Sequence, residues 1–559
     1  MTVENATSVP NTRIEELLDQ LTVEEKVSLT VGRDVWTTQA IERLGIPSIW
    51  LSDGPSGLRR AVTSSDFGLG DSLAATCFPT ESALAASWDL DLLREVGEAM
   101  GTECQAQGVQ ILLAPGVNLK RSPLGGRNFE YYSEDPVLSG ELAAAFMTGV
   151  QSQGVGACLK HLVANEQETG RMYADSVVDA RTLRELYLRA FEIAINKGNP
   201  WSVMAAYNRL DGTYCTENGF LLRDVLRQEW GFEGFVVSDW GAVNDRVARI
   251  DAGCNLEMPG GQPTHDIVAA VQDGRLDAGC LDEIVRELLA VILRADSSRR
   301  PNATFDPDAH HRLARRAASE SVVLLKNDGG VLPLQSKQSN QITQIAVIGD
   351  FARSPRFQGS GSSEVVPTKV DNAYDELVRL AGAGTEVTFA PGYGEVNEPD
   401  PALLAAAQAT AGQAAVAVVF VGLPGFSETE GVDRKHIDLP ESHNALVEAV
   451  LEVQPKVVVV LTNGSAVAMP WATRVTAIVE GWLAGQAGGG AIADVLLGVV
   501  NPSGKLSETF PLRLKDTPAY EDFPGEPAHC LYGERLWTGY RWYDARDIEP
   551  LFPFGHGLS

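Results

Sequence analysis

The feature that most constrains the fold of this chain is a repeated alternation of short apolar runs with longer amphipathic stretches. Helical periodicity separates most of the runs, for example at residues 87–106 and 180–197. Buried strands that alternate with helices favour a parallel sheet, either a barrel or a doubly wound sheet. The strands predicted for this first series are residues 48–51, 110–114, 155–159, 202–206, 235–237 and 255–258.

A second series of strands and helices follows a polar, proline-containing stretch at residues 296–316, which we interpret as a boundary. Its predicted strands are residues 344–348, 415–421, 456–461 and 476–480. Val-rich runs among them fit strands that are buried on both faces. The last part of the chain is rich in aromatic residues, and we expect it to pack onto a domain.

Polar side chains stand at the ends of the first five predicted strands. In a parallel barrel the carboxyl ends of the strands meet at one face, where catalytic groups are found. Charged donors beside carboxylates and an aromatic ring suit the hydroxyl groups of a sugar. The groups, in strand order, are Asp53, Arg127, Lys160 with His161, Tyr207, and Asp239 with Trp240.

Each of these residues also has an ordinary structural explanation. Asp53, which precedes Gly-Pro, could form an Asx turn, and Asp239 could cap the following helix. Arg127 could form an ion pair with a nearby carboxylate, and His161 and Tyr207 could be core residues. Their joint placement at one face of the predicted sheet favours a binding site over five separate structural roles.

The charge of the chain excludes two classes of partner. The 559 residues include 74 acidic and 45 basic residues, a formal net charge of −29. This excess repels phosphate groups, so we expect neither nucleic acid nor a membrane as a partner. No apolar run approaches the ~20 residues of a transmembrane helix. The seven cysteines are scattered and the N-terminus lacks a signal-peptide pattern, so we expect a cytoplasmic protein with reduced thiols.

Longer motifs resemble glycoside hydrolase family 3, in its β-glucosidase branch. GGRNFEYYSEDP at residues 125–136, KH at 160–161 and SDW at 238–240 are together highly specific. SETEGVDRKHIDLP at 427–440, ESVVLLKNDGGVLPL at 320–334 and the tail at 533–559 extend the similarity over almost the whole chain. Relatives with a histidine acid carry a second histidine after KH, and KHLVANEQETG has none, so that branch is not expected.

The resemblance implies a TIM-like (β/α)8 barrel followed by an α/β sandwich domain. We therefore expect a catalytic barrel at residues 1–295, a linker at 296–316, the sandwich domain at 317–513 and a packed tail at 514–559. It also implies a retaining mechanism, in which one carboxylate forms a covalent glycosyl-enzyme and a second carboxyl group acts as acid and base. Asp239 in SDW matches the nucleophile.

The resemblance places the acid/base on a loop of the second domain. Glu430, directly before Gly in an EGxDR-like motif, is the expected residue, and Glu428 is the alternative. Only packing between the domains can bring either glutamate beside Asp239. We expect burial and the charge of Asp239 to raise the pKa of the acid. Arg171 and Met172 lie in one loop that is also expected near the site, and Ser360 and Ser362 in GSGSS are expected to reach it from the second domain.

The other matched residues are implied to form the sugar subsite. Charged side chains would hold neutral hydroxyls through charge-assisted hydrogen bonds. Met204 and Trp240 are expected to form walls, and the positive charges of Lys160 and Arg127 to keep Asp239 ionised. The residues expected to bind substrate are Asp53, Arg59, Arg127, Lys160, His161, Met204, Tyr207 and Trp240.

The sequence thus predicts a retaining, exo-acting β-glucosidase that hydrolyses terminal β-D-glucosyl residues of a small β-glucoside. Hydrolysis needs only water and two carboxyl groups, so no cofactor and no metal are expected. A related β-glycosidase, such as a β-xylosidase, and a catalytically silent carbohydrate-binding protein are the alternatives. The aglycone, homo-oligomerisation and a following fibronectin-III-like domain are left open.

Overall fold

Three sheets organise the protein, whose structure is a computed structural model that describes residues 11–66, 71–334, 342–526 and 528–559. Residues 1–10, on which the prediction about a signal peptide partly rests, lie outside the described residues. Within the described ranges, no helix combines the length and the apolar character needed to cross a membrane. The seven cysteines are all unpaired, and six of them are buried.

The strands and helices of these ranges are numbered in chain order. The strands are β1 (Leu51–Asp53), β2 (Ile111–Leu113), β3 (Gly156–Leu162), β4 (Asp175–Val177), β5 (Ser202–Ala205), β6 (Arg209–Leu210), β7 (Thr213–Tyr214), β8 (Phe235–Ser238), β9 (Val323–Asn327), β10 (Gln344–Ile348), β11 (Glu386–Ala390), β12 (Val416–Gly422), β13 (Val457–Thr462), β14 (Ala477–Glu480) and β15 (Cys530–Leu531). The α-helices are α1 (Asn11–Gln20), α2 (Val23–Leu29), α3 (Glu81–Ser87), α4 (Leu90–Gln107), α5 (Pro136–Ser152), α6 (Ala180–Thr182), α7 (Arg189–Gly198), α8 (Arg246–Ala252), α9 (His265–Gln272), α10 (Ala278–Ser297), α11 (Pro307–Ser321), α12 (Ala373–Ala381), α13 (Pro401–Gln413), α14 (Glu441–Leu451), α15 (Gly488–Leu497) and α16 (Tyr540–Arg546).

The first half of the chain forms a TIM-like barrel. Its regular strands pair in parallel in the order β1-β2-β3-β5-β8, and their side chains are almost all buried. The long helices α4, α5 and α7 pack on one another around it, as the crossovers of parallel strands must. The carboxyl ends of the five strands consequently open on one face of the barrel.

Single bridges, rather than further regular strands, close the ring among the described residues. A Cβ on Gly32 would come within 2.4 Å of Met258 Sδ, so the two backbone segments meet here by close approach. The expected barrel class is confirmed, but five regular strands take the place of eight equal ones in the described ranges. The bridging pairs are Val237–Leu256, Val31–Glu257 and Thr37–Trp50.

The first predicted strand is displaced along the chain. It was expected at residues 48–51, whereas β1 begins at Leu51 and ends at Asp53. Trp50 instead forms a bridge with Thr37 before β1 begins. Likewise Lys160 and His161 lie within β3 rather than after it. These shifts bring the polar side chains onto the strands themselves.

The second series forms a sheet with helices on both faces. Strands β11, β10, β12, β13 and β14 are parallel, and β9 adds an antiparallel edge. Helices α12 and α15 cover one face, and α13 and α14 cover the other. The expected α/β sandwich is confirmed, with β10 as predicted and β12, β13 and β14 beginning one residue later than predicted.

Two strands of this sheet were not predicted, and both lie at its edges. β11 is only half buried, so it lacks the continuous apolar run that marks a central strand. β9 pairs antiparallel with β14 at the opposite edge. The region expected to be a linker, residues 296–316, is largely helical, because Asp306 caps the first turn of α11.

The tail packs on the barrel through buried charges. β15 pairs with β4, and Arg121 forms two hydrogen bonds with Glu534, at 2.6 and 3.0 Å. Both side chains are fully buried, and the guanidinium also lies 3.9 Å from the centre of the Tyr532 ring. The ion pair therefore joins the tail to the loop after β2.

We expect Arg121→Met to lower the free energy of unfolding by about 3–5 kcal/mol, because it leaves the Glu534 carboxylate buried without its partner. Urea unfolding followed by tryptophan fluorescence measures the change. Arg181→Met, which removes an exposed ion pair with Glu185, is the control and should leave the midpoint unchanged. Equal midpoints for the two variants would contradict the prediction.

Candidate active site

A cavity of about 350 Å³ lies at the carboxyl ends of the barrel strands. All ten residues expected as the nucleophile, the preferred acid/base or substrate-binding groups line it, although they come from two domains. Arg171 and Ser362, which were expected nearby, also line it, whereas Met172 and Ser360 do not; Gly361 and Trp36 complete the set. The complete lining is Trp36, Asp53, Arg59, Arg127, Lys160, His161, Arg171, Met204, Tyr207, Asp239, Trp240, Gly361, Ser362 and Glu430.

Asp239 follows β8 directly, and it lines this cavity. Its Oδ1 accepts a hydrogen bond from the backbone N–H of Trp240 at 2.7 Å. No donor among the described residues forms a hydrogen bond of good geometry with Oδ2, which lies 3.7 Å from His161 Nε2. A buried carboxylate oxygen without a hydrogen bond makes the ionised form of Asp239 costly.

The pKa of Asp239 reflects opposing effects. Burial raises it; Arg127 and Arg171 lower it, Glu430 raises it, and the net shift is upward. The sequence analysis expected Lys160 to help keep this carboxylate ionised, but the leading positive charges are Arg127 and Arg171. The two arginines thus stabilise the ionised form and offset part of the destabilisation that burial causes.

Lys160 acts on a second carboxylate, Asp53. Burial raises the pKa of Asp53 to about 6, while the charges of Lys160 and Arg59 oppose the rise. His161 is different, because burial and three neighbouring cations lower its pKa far below its ordinary value. The imidazole is therefore neutral, and it can offer one donor and one acceptor but no charge.

Arg59 and Arg127 are two further charged residues of the cavity lining. Arg59 Nη1 donates to the carbonyl oxygens of Gly361 and Ser362, at 3.3 and 3.0 Å, so it ties the barrel to a loop of the second domain. Arg127 forms a short contact with Glu130, which fixes its guanidinium through Nε. The remaining nitrogens of Arg127 are left for the cavity that it lines.

Glu430 enters the cavity from the second domain. Its Oε2 accepts a hydrogen bond from the backbone N–H of Ser362, and its Oε1 lies 2.8 Å from Arg171 Nη1. Burial acts to raise the pKa of Glu430, but Arg127, Arg171 and the Ser362 hydrogen bond outweigh it, and the pKa is lowered. The expectation of a raised pKa is therefore wrong for this state, because cations rather than Asp239 dominate its surroundings.

Arg171 is shared between two carboxylates. The same Nη1 that contacts Glu430 lies 2.8 Å from Glu168 Oε2. Glu168 also accepts a hydrogen bond from the backbone N–H of Gly431, at 2.6 Å. Burial raises the pKa of Glu168 to about 7, against the charges of Arg127 and Arg171. Glu168 thus competes with Glu430 for one cation.

Asp433 fastens the loop of Glu430 to the barrel. Its carboxylate accepts hydrogen bonds from the backbone N–H groups of Gly126, Glu168 and Thr169, at 2.7–3.0 Å. Gly126 is required here, because a Cβ would lie 1.9 Å from the carbonyl oxygen of Val432. Three backbone donors on one carboxylate make a strong, directional contact.

Glu428, the alternative acid/base, faces away from this cavity. It is buried, pairs with Arg356 and accepts a hydrogen bond from the backbone N–H of Gly464 at 2.8 Å. Its two carboxylate oxygens are therefore engaged within the second domain. The hairpin turn between Thr429 and Val432 directs the next glutamate, Glu430, to the other side.

Trp36 is the cavity residue that the sequence analysis missed. Its ring centre lies 5.3 Å from that of Trp240, and its Nε1 donates to the carbonyl oxygen of Asp66 at 2.6 Å. It precedes every predicted strand of the barrel, so strand-end reasoning could not find it. The bridge between its neighbour Thr37 and Trp50 brings it beside β1.

Two family models match this chain. The model described as the glycosyl hydrolase family 3 N terminal domain matches residues 17–291. The model described as the glycosyl hydrolase family 3 C-terminal domain matches residues 322–559. The two matches cover the barrel and the sandwich domain in turn.

Curated relatives and solved structures agree with this match. Thermostable beta-glucosidase B of Acetivibrio thermocellus is 54% identical over 550 residues, 98% of this chain and 72% of its own. An exo-α-(1→6)-L-arabinopyranosidase of Bifidobacterium longum is 47% identical over 96% of this chain and 72% of its own. A GH3 beta-glucosidase of Bifidobacterium adolescentis has a TM-score of 0.91 at 46% identity, covering 97% of this chain and 78% of that one. Beta-glucosidase 3B of Thermotoga neapolitana, solved with glucose, has a TM-score of 0.89 at 39% identity, covering 98% and 83%. The chain belongs to glycoside hydrolase family 3.

Proposed function

We propose that this glycoside hydrolase is a retaining β-glucosidase, with Asp239 as nucleophile and Glu430 as acid/base. The observation that carries the proposal is that Asp239 and Glu430, which come from different domains, line one cavity together with the groups expected to bind a sugar. A retaining enzyme needs one ionised carboxylate for attack and one carboxyl group for proton transfer. Glu428 is a poor candidate, since Arg356 and Gly464 already occupy its oxygens.

In the first step, a carboxylate oxygen of Asp239 attacks the anomeric carbon and the bond to the glycosidic oxygen breaks. Glu430 gives its proton to that oxygen, so the aglycone leaves as an alcohol. In the second step, water attacks the anomeric carbon, returns a proton to Glu430 and releases the sugar from Asp239. Each carboxyl group ends the cycle in its starting state.

The ion pair between Arg171 and Glu430 has to weaken for Glu430 to carry a proton. Glu168 lies the same 2.8 Å from that guanidinium nitrogen, so it retains the arginine when Glu430 becomes neutral. Neutral Glu430 then donates to the glycosidic oxygen in place of pairing with Arg171. This exchange supplies a proton donor despite the low pKa of the free glutamate.

The named relatives support glucose as the sugar but leave a second candidate. The first two curated relatives given above carry different names, a beta-glucosidase at 54% and an α-L-arabinopyranosidase at 47% identity. The hydrogen-bond donors and the carboxylates of this cavity would bind hydroxyl groups of either sugar. A comparison of kcat/KM decides between them, with an aryl β-D-glucoside, β-D-xyloside and α-L-arabinopyranoside as substrates. We expect the β-D-glucoside to have the highest kcat/KM.

Replacing the two proposed catalytic carboxylates should give different outcomes. Asp239→Ala should abolish hydrolysis of an aryl β-glucoside, whereas Glu430→Ala should slow it by about 10²–10⁴-fold. Azide should rescue Glu430→Ala and yield β-glucosyl azide, because it attacks the glycosyl-enzyme without needing a general base. Product analysis by NMR records the configuration.

Glu428→Ala is the matched variant for this test. If Glu430 is the acid/base, azide gives no β-glucosyl azide with Glu428→Ala, even where its activity falls through loss of the Arg356 contact. Azide rescue of Glu428→Ala alone would reverse the assignment of the two glutamates.

The pH dependence of kcat, which reports the pKa values of the enzyme with substrate bound, should reveal the sharing of Arg171. Arg171→Met removes the cation that stabilises ionised Glu430, so the pKa of Glu430 rises and the alkaline limb moves to higher pH, by about 1–3 units. Glu168→Gln removes the competing carboxylate, so Arg171 pairs with Glu430 alone. The pKa of Glu430 therefore falls, and the alkaline limb moves to lower pH. Shifts in the same direction would contradict the shared arginine.

Asp433→Ala should lower kcat by about 10²-fold, because Glu430 loses the contact that fixes its position and a misplacement near 1 Å has such an effect. Asp433→Asn keeps one acceptor oxygen and should retain more activity. Steady-state kinetics and urea unfolding together separate this positioning effect from loss of folded protein. Unchanged kcat in Asp433→Ala would refute it.

A further inference from the structure

A second cavity, of about 640 Å³, lies in the sandwich domain next to the loop that carries Glu430. Its walls come from the carboxyl ends of three adjacent parallel strands and the start of α14. Asp350 follows β10, residues 393–397 follow β11, and Pro424 and Phe426 follow β12. None of these residues lines the catalytic cavity described above.

The strand order marks this position as a natural ligand site. From β10 the chain passes to β11, its neighbour toward one edge of the sheet, and then to β12, its neighbour toward the other edge. The crossovers on the two sides lie on opposite faces, so a crevice opens between the ends of β10 and β12. In open α/β sheets, ligands bind in this crevice at the carboxyl edge.

His443 presents a buried donor to the cavity. It is 4% exposed, and burial lowers its pKa to about 4, so the ring is neutral. Its Nδ1 accepts a hydrogen bond from the backbone N–H of Gly422 at 3.2 Å, which places the proton on Nε2. No acceptor for that N–H occurs among the described residues. A ligand oxygen would satisfy it.

Arg356 supplies further donors. Its side chain is 8% exposed, and its Nη1 is used by Glu428 and by the carbonyl oxygen of Leu423. Nε and Nη2 have no partner in the described part of the chain, and both are closed to solvent, so a small shift of the side chain is needed for a ligand to reach them. Asp350 and Glu395, on other walls, supply carboxylate oxygens. Donors and acceptors therefore face one cavity, as hydroxyl groups require, and the two carboxylates disfavour an anion.

The rim of the cavity is apolar and exposed. Phe426 is 75% exposed and Val396 is 62% exposed, although both are large hydrophobic side chains. An exposed aromatic face beside polar groups suits a ligand with one apolar face and a hydroxylated edge. A pyranose ring has this combination of C–H face and hydroxyl edge.

We propose that this cavity is a second carbohydrate site, which binds a neutral sugar or glycoside apart from the catalytic cavity. His443 and Arg356 donate to its hydroxyl oxygens, Asp350 and Glu395 accept from its hydroxyl groups, and Phe426 contacts its C–H face. The site goes beyond the proposed hydrolysis, and only the blocking step of its test rests on Asp239 as nucleophile.

The test is a titration with cellobiose after the catalytic cavity has been blocked. A 2-deoxy-2-fluoro-β-D-glucosyl fluoride should add one fluoroglucosyl group to Asp239, and intact mass confirms the block before and after the titration. Calorimetry of the blocked enzyme should then report one remaining site for cellobiose. Phe426→Ser and Glu395→Gln should each weaken this binding by about tenfold or more.

Val499→Ser is the matched control, since Val499 is an exposed apolar residue, 63% exposed, that lines neither cavity. It should leave the affinity unchanged. No binding to the blocked enzyme, or binding that Phe426→Ser and Glu395→Gln do not weaken, would overturn the second site.

Absence of the mass increase would instead overturn the proposed nucleophile. The second site is then decided by the number of cellobiose molecules bound to Asp239→Ala enzyme. Two molecules, of which Phe426→Ser removes one, support the site, and a single molecule that Phe426→Ser leaves in place refutes it.

Discussion

The contact on which the site depends is the one between the Asp433 carboxylate and three backbone N–H groups of the barrel. Asp239 and Glu430 belong to different domains, so nothing in either domain alone fixes their separation. The carboxylate of Asp433 belongs to the sandwich domain and accepts hydrogen bonds from loops of the barrel. Because Glu430 stands only three residues earlier on a tight turn, the same contact positions the proposed acid/base.

The cavity gathers several ionised groups in a buried space, and their mutual charges decide their pKa values. Burial raises the pKa of Asp53 and Asp239, and the cations around them recover part of the cost. Glu430 is paired with Arg171, and its pKa moves the other way. Arg171 is central to this balance, because it contacts Glu430 and Glu168 at equal distance. The second cavity lies beside the same loop but shares none of these cations.

Much of the fold and the lining of the site could be predicted from sequence, because strand ends and long motifs are written in local residue order. Asp53 and Tyr207 are examples, since each follows an apolar run. Contacts between a side chain and distant backbone groups leave no such pattern, so the role of Asp433 was not predicted. Trp36 was missed because its bridge precedes the first apolar run. The pKa of Glu430 depends on charges from another domain, which spacing does not reveal.

The ion pair between Arg121 and Glu534 also has a consequence for biosynthesis. Its two partners are 413 positions apart, and Glu534 lies in the tail. A ribosome therefore completes the barrel strands long before it makes the carboxylate that neutralises Arg121. Until the tail emerges, Arg121 lacks the carboxylate with which it pairs in the folded protein. The ion pair is thus a contact that forms only after the whole barrel has been synthesised.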